Sequence, residues 1–382
     1  MGLEYKYQKM KILILNYEFP PLGGGAGNAT YYLLKELAKN DSLEVTLITS
    51  STDRYRIEQF TPNIKIIFLD IGKKGNIHYQ SFKDLLTYGW KAWQKIRELD
   101  KTEKFDLTHA FFTVPCAFVA MWFDTPYIVG LRGSDVPFYS EKFFWLDKII
   151  FQFLNKYIWK KAKKVVANSQ GLKELANNIA PNQEIDVIYN GVDTDEFKPA
   201  VQNDNMVLNI VSSSRLTKRK GIKYLIEAFN KLSLEYEDIN LQIIGSGEEE
   251  DNLKILAEST KHREKIQFLG PCPHEQMANH LSQNDIFVLP SLNEGMSNSL
   301  LEAMASGLAI VATDTGGTKE LVDDDNGIIV EKNSTESIYT ALKKLHESKQ
   351  LLDNMKKQSR LKAEKLSWQK MAGKYLKIYN IQ

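Results

Sequence analysis

The sequence predicts an α/β protein made of two doubly wound, Rossmann-like domains facing a central cleft. Short apolar runs alternate with stretches of helical period, which is the pattern of a parallel sheet covered on both faces. A glycine-rich turn stands at the first strand–helix junction, where such folds bring backbone close to a ligand. The whole pattern then restarts after a polar break at 199–205 (PAVQNDN).

Taken in order, residues 11–16 (KILILN) read as a buried strand, 20–27 (PPLGGGAG) as the turn, and 28–39 as a helix with Tyr32, Leu33, Leu37 and Ala38 on one face. Strands at 44–49, 64–69, 107–110, 127–131, 164–167 and 185–188 continue the first series. The second series runs through 208–212, 241–244, 266–269, 286–289, 309–312 and 327–330. The expected division is 1–198 for the first domain and 199–365 for the second. A terminal helix at about 366–382, with Trp368, Met371, Tyr375 and Tyr379 at helical spacing, is expected to cross back to the first domain, as such a helix does in the family named below.

Composition excludes several classes. With 382 residues, 43% hydrophobic and 25% charged, the chain is globular rather than disordered or collagen-like. Lys and Arg number 49 against 48 Asp and Glu, so general electrostatic binding to nucleic acid is not expected. Cys116 and Cys272 can form neither a disulfide framework nor a four-thiolate zinc site, and they fit a reducing cytosol. The longest nearly apolar run, 110–123, is interrupted by Thr113 and Pro115 and falls short of the ~20 residues of a span. The polar start MGLEYKYQKM lacks the core of a signal peptide. The expectation is a cytoplasmic protein, peripheral at the inner face of the cell membrane.

Three segments carry chemistry. The turn with Gly23, Gly24, Gly25 and Gly27 can bring backbone N–H groups to a phosphate or sugar at a helix N-terminus; a tight turn without a ligand is the alternative. It does not meet the dinucleotide pattern, because Asn28 follows Gly27 and the next strand ends in Thr49-Ser50-Ser51 with no acid for a ribose. After the first strand of the second domain come Ser214-Arg215-Leu216 and Lys220-Gly221, at the strand end where open α/β sheets bind ligands. Arg215 and Lys220 would offset a diphosphate leaving group, whereas Lys218 and Arg219 beside them also fit a solvated charge run. The third segment, 290–302 (PSLNEGMSNSLLE), opens a helix capped by Ser297, Asn298 and Ser299. Its N–H groups could hold a phosphate, Glu302 in the second turn could accept both hydroxyls of a ribose, and Glu294 would lie near the donor sugar.

Asn190-Gly191-Val192-Asp193, the Ser-Arg-Leu…Lys-Gly block, the Glu-x7-Glu of Glu294 and Glu302, and Gly316-Gly317-Thr318-Lys319-Glu320 follow one another in this order. With the glycine turn and Arg132-Gly133-Ser134-Asp135, they resemble the retaining glycosyltransferases of family 4, which have the two-domain GT-B fold. The resemblance spans nearly the whole chain. It implies a nucleoside diphosphate sugar donor, of UDP or GDP type, with no separate cofactor and no metal. Arg215 and Lys220 would then hold the diphosphate, Glu302 the ribose, and Glu294 with Gly295, Met296, Ser297, Asn298 and Ser299 the donor sugar. Gly245, Gly247 and Leu269 with Gly270 would line the base region, and Gly23 and Gly24 would approach the donor phosphate or the acceptor. Many members carry His where this chain has Arg132. Arg132 cannot act as a base, so it is expected to stabilise departing phosphate or an anionic group, with Asp135 positioning it or a hydroxyl. The acceptor would be a glycan or lipid-linked glycan, in surface polysaccharide or glycolipid assembly. A sugar-nucleotide epimerase of the same fold and a non-catalytic nucleotide-sugar-binding subunit are the alternatives.

Other features weigh less. Asp193-Thr194-Asp195 and Asp323-Asp324-Asp325 match an Asp-x-Asp metal motif, but the first lies within the Asn-Gly-Val-Asp block and the second in a turn. His109 reads as a satisfied interior residue, and Cys272-x-His274 has no second pair for zinc. Residues 141–164 form an amphipathic stretch with Phe143, Phe144, Leu146, Ile150, Phe153, Leu154 and Tyr157, in which lysines outnumber Glu141 and Asp147. This fits a helix on an anionic bilayer; the alternative is a core helix with a basic outer side.

Overall fold

The structure is a computed structural model and describes residues 9–74, 80–139, 144–200 and 207–379, with Phe144 described only in its backbone. Residues 1–8, Glu141 to Phe143, 201–205 of the polar break and the chain end from Asn380 lie outside the described residues. The chain divides into two compact units, one formed by residues up to Tyr189 with those from Trp368, the other by Asn190–Ser367.

The first unit is an eight-stranded sheet. Its strands are β1 (Met10–Leu15), β2 (Leu43–Ser51), β3 (Arg56–Thr61), β4 (Ile64–Asp70), β5 (Leu107–Phe111), β6 (Tyr127–Leu131), β7 (Lys164–Ala167) and β8 (Ile185–Val187), in the order β3-β4-β2-β1-β5-β6-β7-β8. All neighbours pair in parallel except β3, which runs antiparallel to β4. Strands buried on both faces must be apolar throughout, and β1 keeps Ile12, Leu13, Ile14 and Leu15 out of solvent. The helix Phe82–Leu99 starts at a capping box in which Asp84 N–H donates to Ser81 Oγ (3.1 Å) and Ser81 N–H to Asp84 Oδ2 (2.9 Å). Its Tyr88, Ala92 and Ile96 face the core, and Tyr88 Oη donates to Ile48 O (2.9 Å). The helix Trp368–Tyr379 completes this unit: Trp368 stacks on Tyr32 with centroids 4.8 Å apart, and Tyr375 and Tyr379 are buried.

The second unit is a six-stranded parallel sheet of β9 (Leu208–Ser213), β10 (Ile239–Ile244), β11 (Ile266–Gly270), β12 (Ile286–Leu289), β13 (Ala309–Thr313) and β14 (Gly327–Val330), in the order β11-β10-β9-β12-β13-β14. Its core packs Ile210, Ile243, Ile286 and Val311 of the sheet against Leu225, Phe229 and Leu342 of the covering helices. Full burial of such a side chain contributes about 1.5–3 kcal/mol.

The division at Tyr189/Asn190 corrects the expected one at 198/199. Segment 190–200 already belongs to the second unit, because Val192 N–H donates to Leu366 O (2.9 Å), Val192 bridges Ser367, and Phe197 is buried. Arg360 Nη1 donates to Phe197 O and Ala305 O (both 2.8 Å), which fastens the segment to the helix Asn298–Ala305. The polar run therefore falls within the second unit rather than at the division.

Candidate active site

Each sheet reverses its winding order once. In the second unit the chain winds outward from β9 to β11 on one side and from β12 to β14 on the other, so the loops after β9 and β12 start at adjacent strand ends. That is the switch point where open α/β sheets form crevices.

The two loops are fastened together at several levels. Leu292 N–H donates to Arg219 O (2.8 Å), and Arg219 Nη1 donates to Asn293 O (2.8 Å). Lys220 Nζ then makes an ion pair with Glu294 Oε1, both side chains being about nine-tenths buried. Burial pushes the Glu294 carboxyl up, but Lys220 and then Arg219 outweigh it and hold the group below its ordinary range. Arg215 stands exposed on the first loop. Arg215 and Lys220 follow the end of β9 and Glu294 that of β12, the strands after which the sequence placed them. Of the two readings left open for Arg219, the solvated run does not hold: the side chain is half-buried and bonded across the loops.

The predicted glycines serve close backbone approach. A Cβ on Gly245 (φ +132°) would lie 1.9 Å from Ser214 O, and one on Gly316 (φ +42°) would lie 1.8 Å from Glu294 O. Gly247 likewise backs Leu216, and Leu269-Gly270 ends β11 where Gly270 O accepts from Gly245 N–H (2.8 Å). Gly295 O accepts from Gly317 N–H (2.8 Å). The loop after β10 and the Gly316-Gly317 turn therefore seat the two site loops from opposite sides.

The helix Asn298–Ala305 opens at Ser297, whose Oγ accepts from Leu300 N–H (3.3 Å) and contacts Ser299 Oγ (3.0 Å). Asn190 is tied to its start: Asn190 N–H donates to Met296 Sδ (3.1 Å), and Asn190 Nδ2 to Asn298 Oδ1 (2.8 Å). Glu302 lies in the second turn with its carboxylate 3.4 Å from His274 Nε2, and His274 Nδ1 lies 3.4 Å from Glu196. Burial pushes the Glu302 carboxyl up, with His274 opposing it, and Glu302 in turn raises the His274 imidazole. His274 was weighed in the sequence only as a zinc ligand. Its place at the start of the helix His274–Ser282, just past β11, is the signal that could have found it.

In the first unit the reversal lies between β1 and β5, and the residues after these strands meet through Tyr17 stacked on Phe112 (4.6 Å). The glycine turn wraps a carboxylate. Gly24 N–H donates to Glu18 Oε2 (3.1 Å), and Gly23 (φ +92°) leaves room where a Cβ would lie 2.6 Å from the Glu18 side chain. Asp135 positions backbone: its Oδ1 accepts from the N–H of Arg132 (2.9 Å) and Gly133 (3.0 Å), and its Oδ2 from Thr113 N–H (3.0 Å). Burial pushes its carboxyl up, and those N–H groups only partly offset this. The Arg132 guanidinium lies 4.4 Å from the Phe111 ring centroid, and His109 stacks on the same ring (4.2 Å). His109 Nδ1 lies 2.8 Å from Tyr379 Oη, and burial with the Arg132 charge keeps its imidazole well below the usual value. His109 is interior, as the sequence suggested, but only half satisfied, since its buried Nε2 has no hydrogen-bond partner.

The two Asp-x-Asp matches are used as turns. Asp193 Oδ1 accepts from the N–H groups of Asp195 and Glu196 (both 3.1 Å), and Asp323 accepts from Asp325 N–H (3.0 Å) while pairing with Lys362. No helix among the described residues is long and apolar enough to cross a membrane.

Residues 23–196 match the family model described as Glycosyltransferase Family 4, and residues 193–362 match that of Glycosyl transferases group 1. The chain is 27% identical over 367 residues to the N-acetylgalactosamine-N,N'-diacetylbacillosaminyl-diphospho-undecaprenol 4-alpha-N-acetylgalactosaminyltransferase of Campylobacter jejuni, covering 93% of this chain and 95% of that one. Its fold is similar to that of sucrose-phosphate synthase from Thermosynechococcus elongatus, with a TM-score of 0.84 at 19% identity over 97% of this chain and 98% of that one. It is also similar to Anabaena HepE in complex with UDP-glucose, with a TM-score of 0.73 at 18% identity over 97% and 99%. With a switch point in each of two doubly wound sheets and family matches running from 23 to 362, the chain belongs to the group 1, family 4 glycosyltransferases of GT-B fold.

Proposed function

We propose that this glycosyltransferase moves a sugar, with retention of configuration and without a metal, from a UDP- or GDP-type donor to a hydroxyl of a glycan or lipid-linked acceptor. The observation that carries the reading is the junction of the loops after β9 and β12, where exposed Arg215 stands on the same loop as Lys220, which is buried in a pair with Glu294 of the other loop. Charge develops on the diphosphate as the bond from the sugar's anomeric carbon to phosphate oxygen breaks. Two cations on preformed loops meet that charge with little reorganisation. Glu294 holds the Lys220 ammonium in one place. Glu302, steadied by His274, is available to the ribose hydroxyls. The acceptor oxygen attacks the face the phosphate leaves, and the leaving phosphate takes the hydroxyl proton, so positioning replaces a protein nucleophile. The relative from Campylobacter bears an alpha-transfer and a diphospho-undecaprenol acceptor in its name, and the Anabaena structure holds UDP-glucose; both are in keeping with this donor and acceptor class.

A thermal-shift screen of UDP-, GDP- and ADP-sugars tests the donor. A ligand present at 100 times its Kd stabilises the native state by about 2.7 kcal/mol. One nucleotide class should raise the melting temperature, and slow release of the matching nucleoside diphosphate should survive excess chelator. A changed sugar on the recovered nucleotide would point to an epimerase, and binding without release to a non-catalytic subunit. Loss of release in EDTA, restored by Mn²⁺ or Mg²⁺, would overturn the metal-free reading.

A further inference from the structure

The first unit carries an exposed apolar surface that the sugar-transfer chemistry does not use. In helix 144–161, Asn155, Ile158 and Trp159 face the core, and Trp159 Nε1 donates to Thr113 Oγ1 (2.9 Å). The outer face is also apolar, with Trp145 69%, Ile149 64%, Phe153 59% and Tyr157 50% exposed at four-residue spacing. The sequence left open a helix with a merely basic outer side; the exposed rings exclude it.

A second stripe lies on the helix Phe82–Leu99, where Phe82 (58%), Leu86 (60%) and Trp90 (60%) are exposed, again at four-residue spacing. Both helices pack against the same turn, Thr113–Ala117. Trp122, 64% exposed, follows the short helix Phe118–Ala120 that also packs on Phe82–Leu99.

Charge decides what this surface fits. Between 144 and 163 the single acid is Asp147, which is buried and accepts from Phe138 N–H (2.9 Å). Lys148, Lys160, Lys161 and Lys163 are exposed. Lys148 lies 5.8 Å from the Trp145 ring centroid and Lys161 4.6 Å from that of Tyr157, so cations rim the apolar rings. Aromatic rings with lysine heads beside them suit the boundary between acyl chains and anionic headgroups.

We propose that these two helices form a docking surface for an anionic phospholipid bilayer. The proposal deepens the reading of a lipid-linked acceptor but is tested without turnover, so either can fail alone. The experiment is co-sedimentation of the full chain with phosphatidylcholine vesicles containing increasing phosphatidylglycerol. Binding should rise with the anionic fraction and weaken with salt, since exposed charges are screened over about 10 Å at 0.1 M. Replacing Lys148, Lys160, Lys161 and Lys163 by Gln should cost about fivefold in partitioning for each lysine removed. L86S with W90S should weaken binding at least tenfold while the circular dichroism melt stays unchanged. Wild-type protein remaining in the supernatant at every composition, or sedimenting equally with pure phosphatidylcholine, overturns the proposal. So does binding that L86S with W90S leaves intact. A dimer in gel filtration that these variants split, without vesicle binding, would assign the face to a second copy of the chain instead.

Discussion

The two units solve the same topological problem with different chemistry. In each unit a carboxylate ties together the loops that follow two neighbouring strands. In the second unit Glu294 is answered by a cation, Lys220, and its carboxyl is held low. In the first unit Asp135 is answered by backbone N–H groups of Arg132, Gly133 and Thr113, and burial keeps its carboxyl high. A buried acid paired with a cation stays ionised and fixes a positive charge in the site. A buried acid paired with amides fixes the course of the chain. The first arrangement is suited to stabilising a charged leaving group, and the second to shaping a surface.

The sharpest way to break this contrast is to remove one member of the ion pair. Lys220→Ala should lower turnover roughly 100-fold or more. It should also destabilise by about 3–5 kcal/mol, because Glu294 is left buried and uncompensated. Lys220→Met with Glu294→Leu should recover most of the melting temperature and none of the turnover. If the double variant were active, the pair would be merely structural. Arg215→Ala comes next: the residue is exposed, so stability should stay within about 0.5 kcal/mol while turnover again falls roughly 100-fold. Equal turnover in Arg215→Ala and wild type would remove this residue from the diphosphate clamp.

The first unit should respond through stability. Asp135→Ala should cost about 2–3 kcal/mol in denaturant unfolding, at the scale of one strong charge-assisted hydrogen bond, since the buried N–H groups lose their acceptor. An unchanged unfolding midpoint would mean that water replaces the carboxylate. The smallest effect concerns His274. Glu302 raises its imidazole pKa above the ordinary 6.5, so its contribution is complete below that value and fades as pH rises through the raised one. The melting-temperature difference between wild type and His274→Gln should therefore be largest in mildly acidic buffer and shrink in alkaline buffer. A difference that grows with pH would contradict the contact with Glu302.

Most of the architecture was legible because parallel strands buried on both faces leave continuous apolar runs, as 286–289 and 309–312 do. The antiparallel β3 was not read, because RIEQFT at an exposed sheet edge has no run to show. The candidate site residues were legible as positions, since the loops that bind ligands in open α/β sheets follow strand ends. Their pairings were not. Lys220 and Glu294 are 74 residues apart, and only the adjacency of β9 and β12 brings them together. Arg219 stayed open for a related reason: a charge run reads as solvated until a second loop is known to cover it.

The helix Trp368–Tyr379 has a consequence for synthesis. The ribosome makes Tyr32 and His109 before the whole second unit and their partners Trp368 and Tyr379 only after it. A growing chain can therefore complete Asn190–Ser367 while the unit it began first still lacks one wall of its core, and N-to-C order of emergence is not the order of completion. A chain stopped after Ser367 should keep cooperative unfolding of the second unit and lose it in the first, leaving Tyr32 and His109 uncovered.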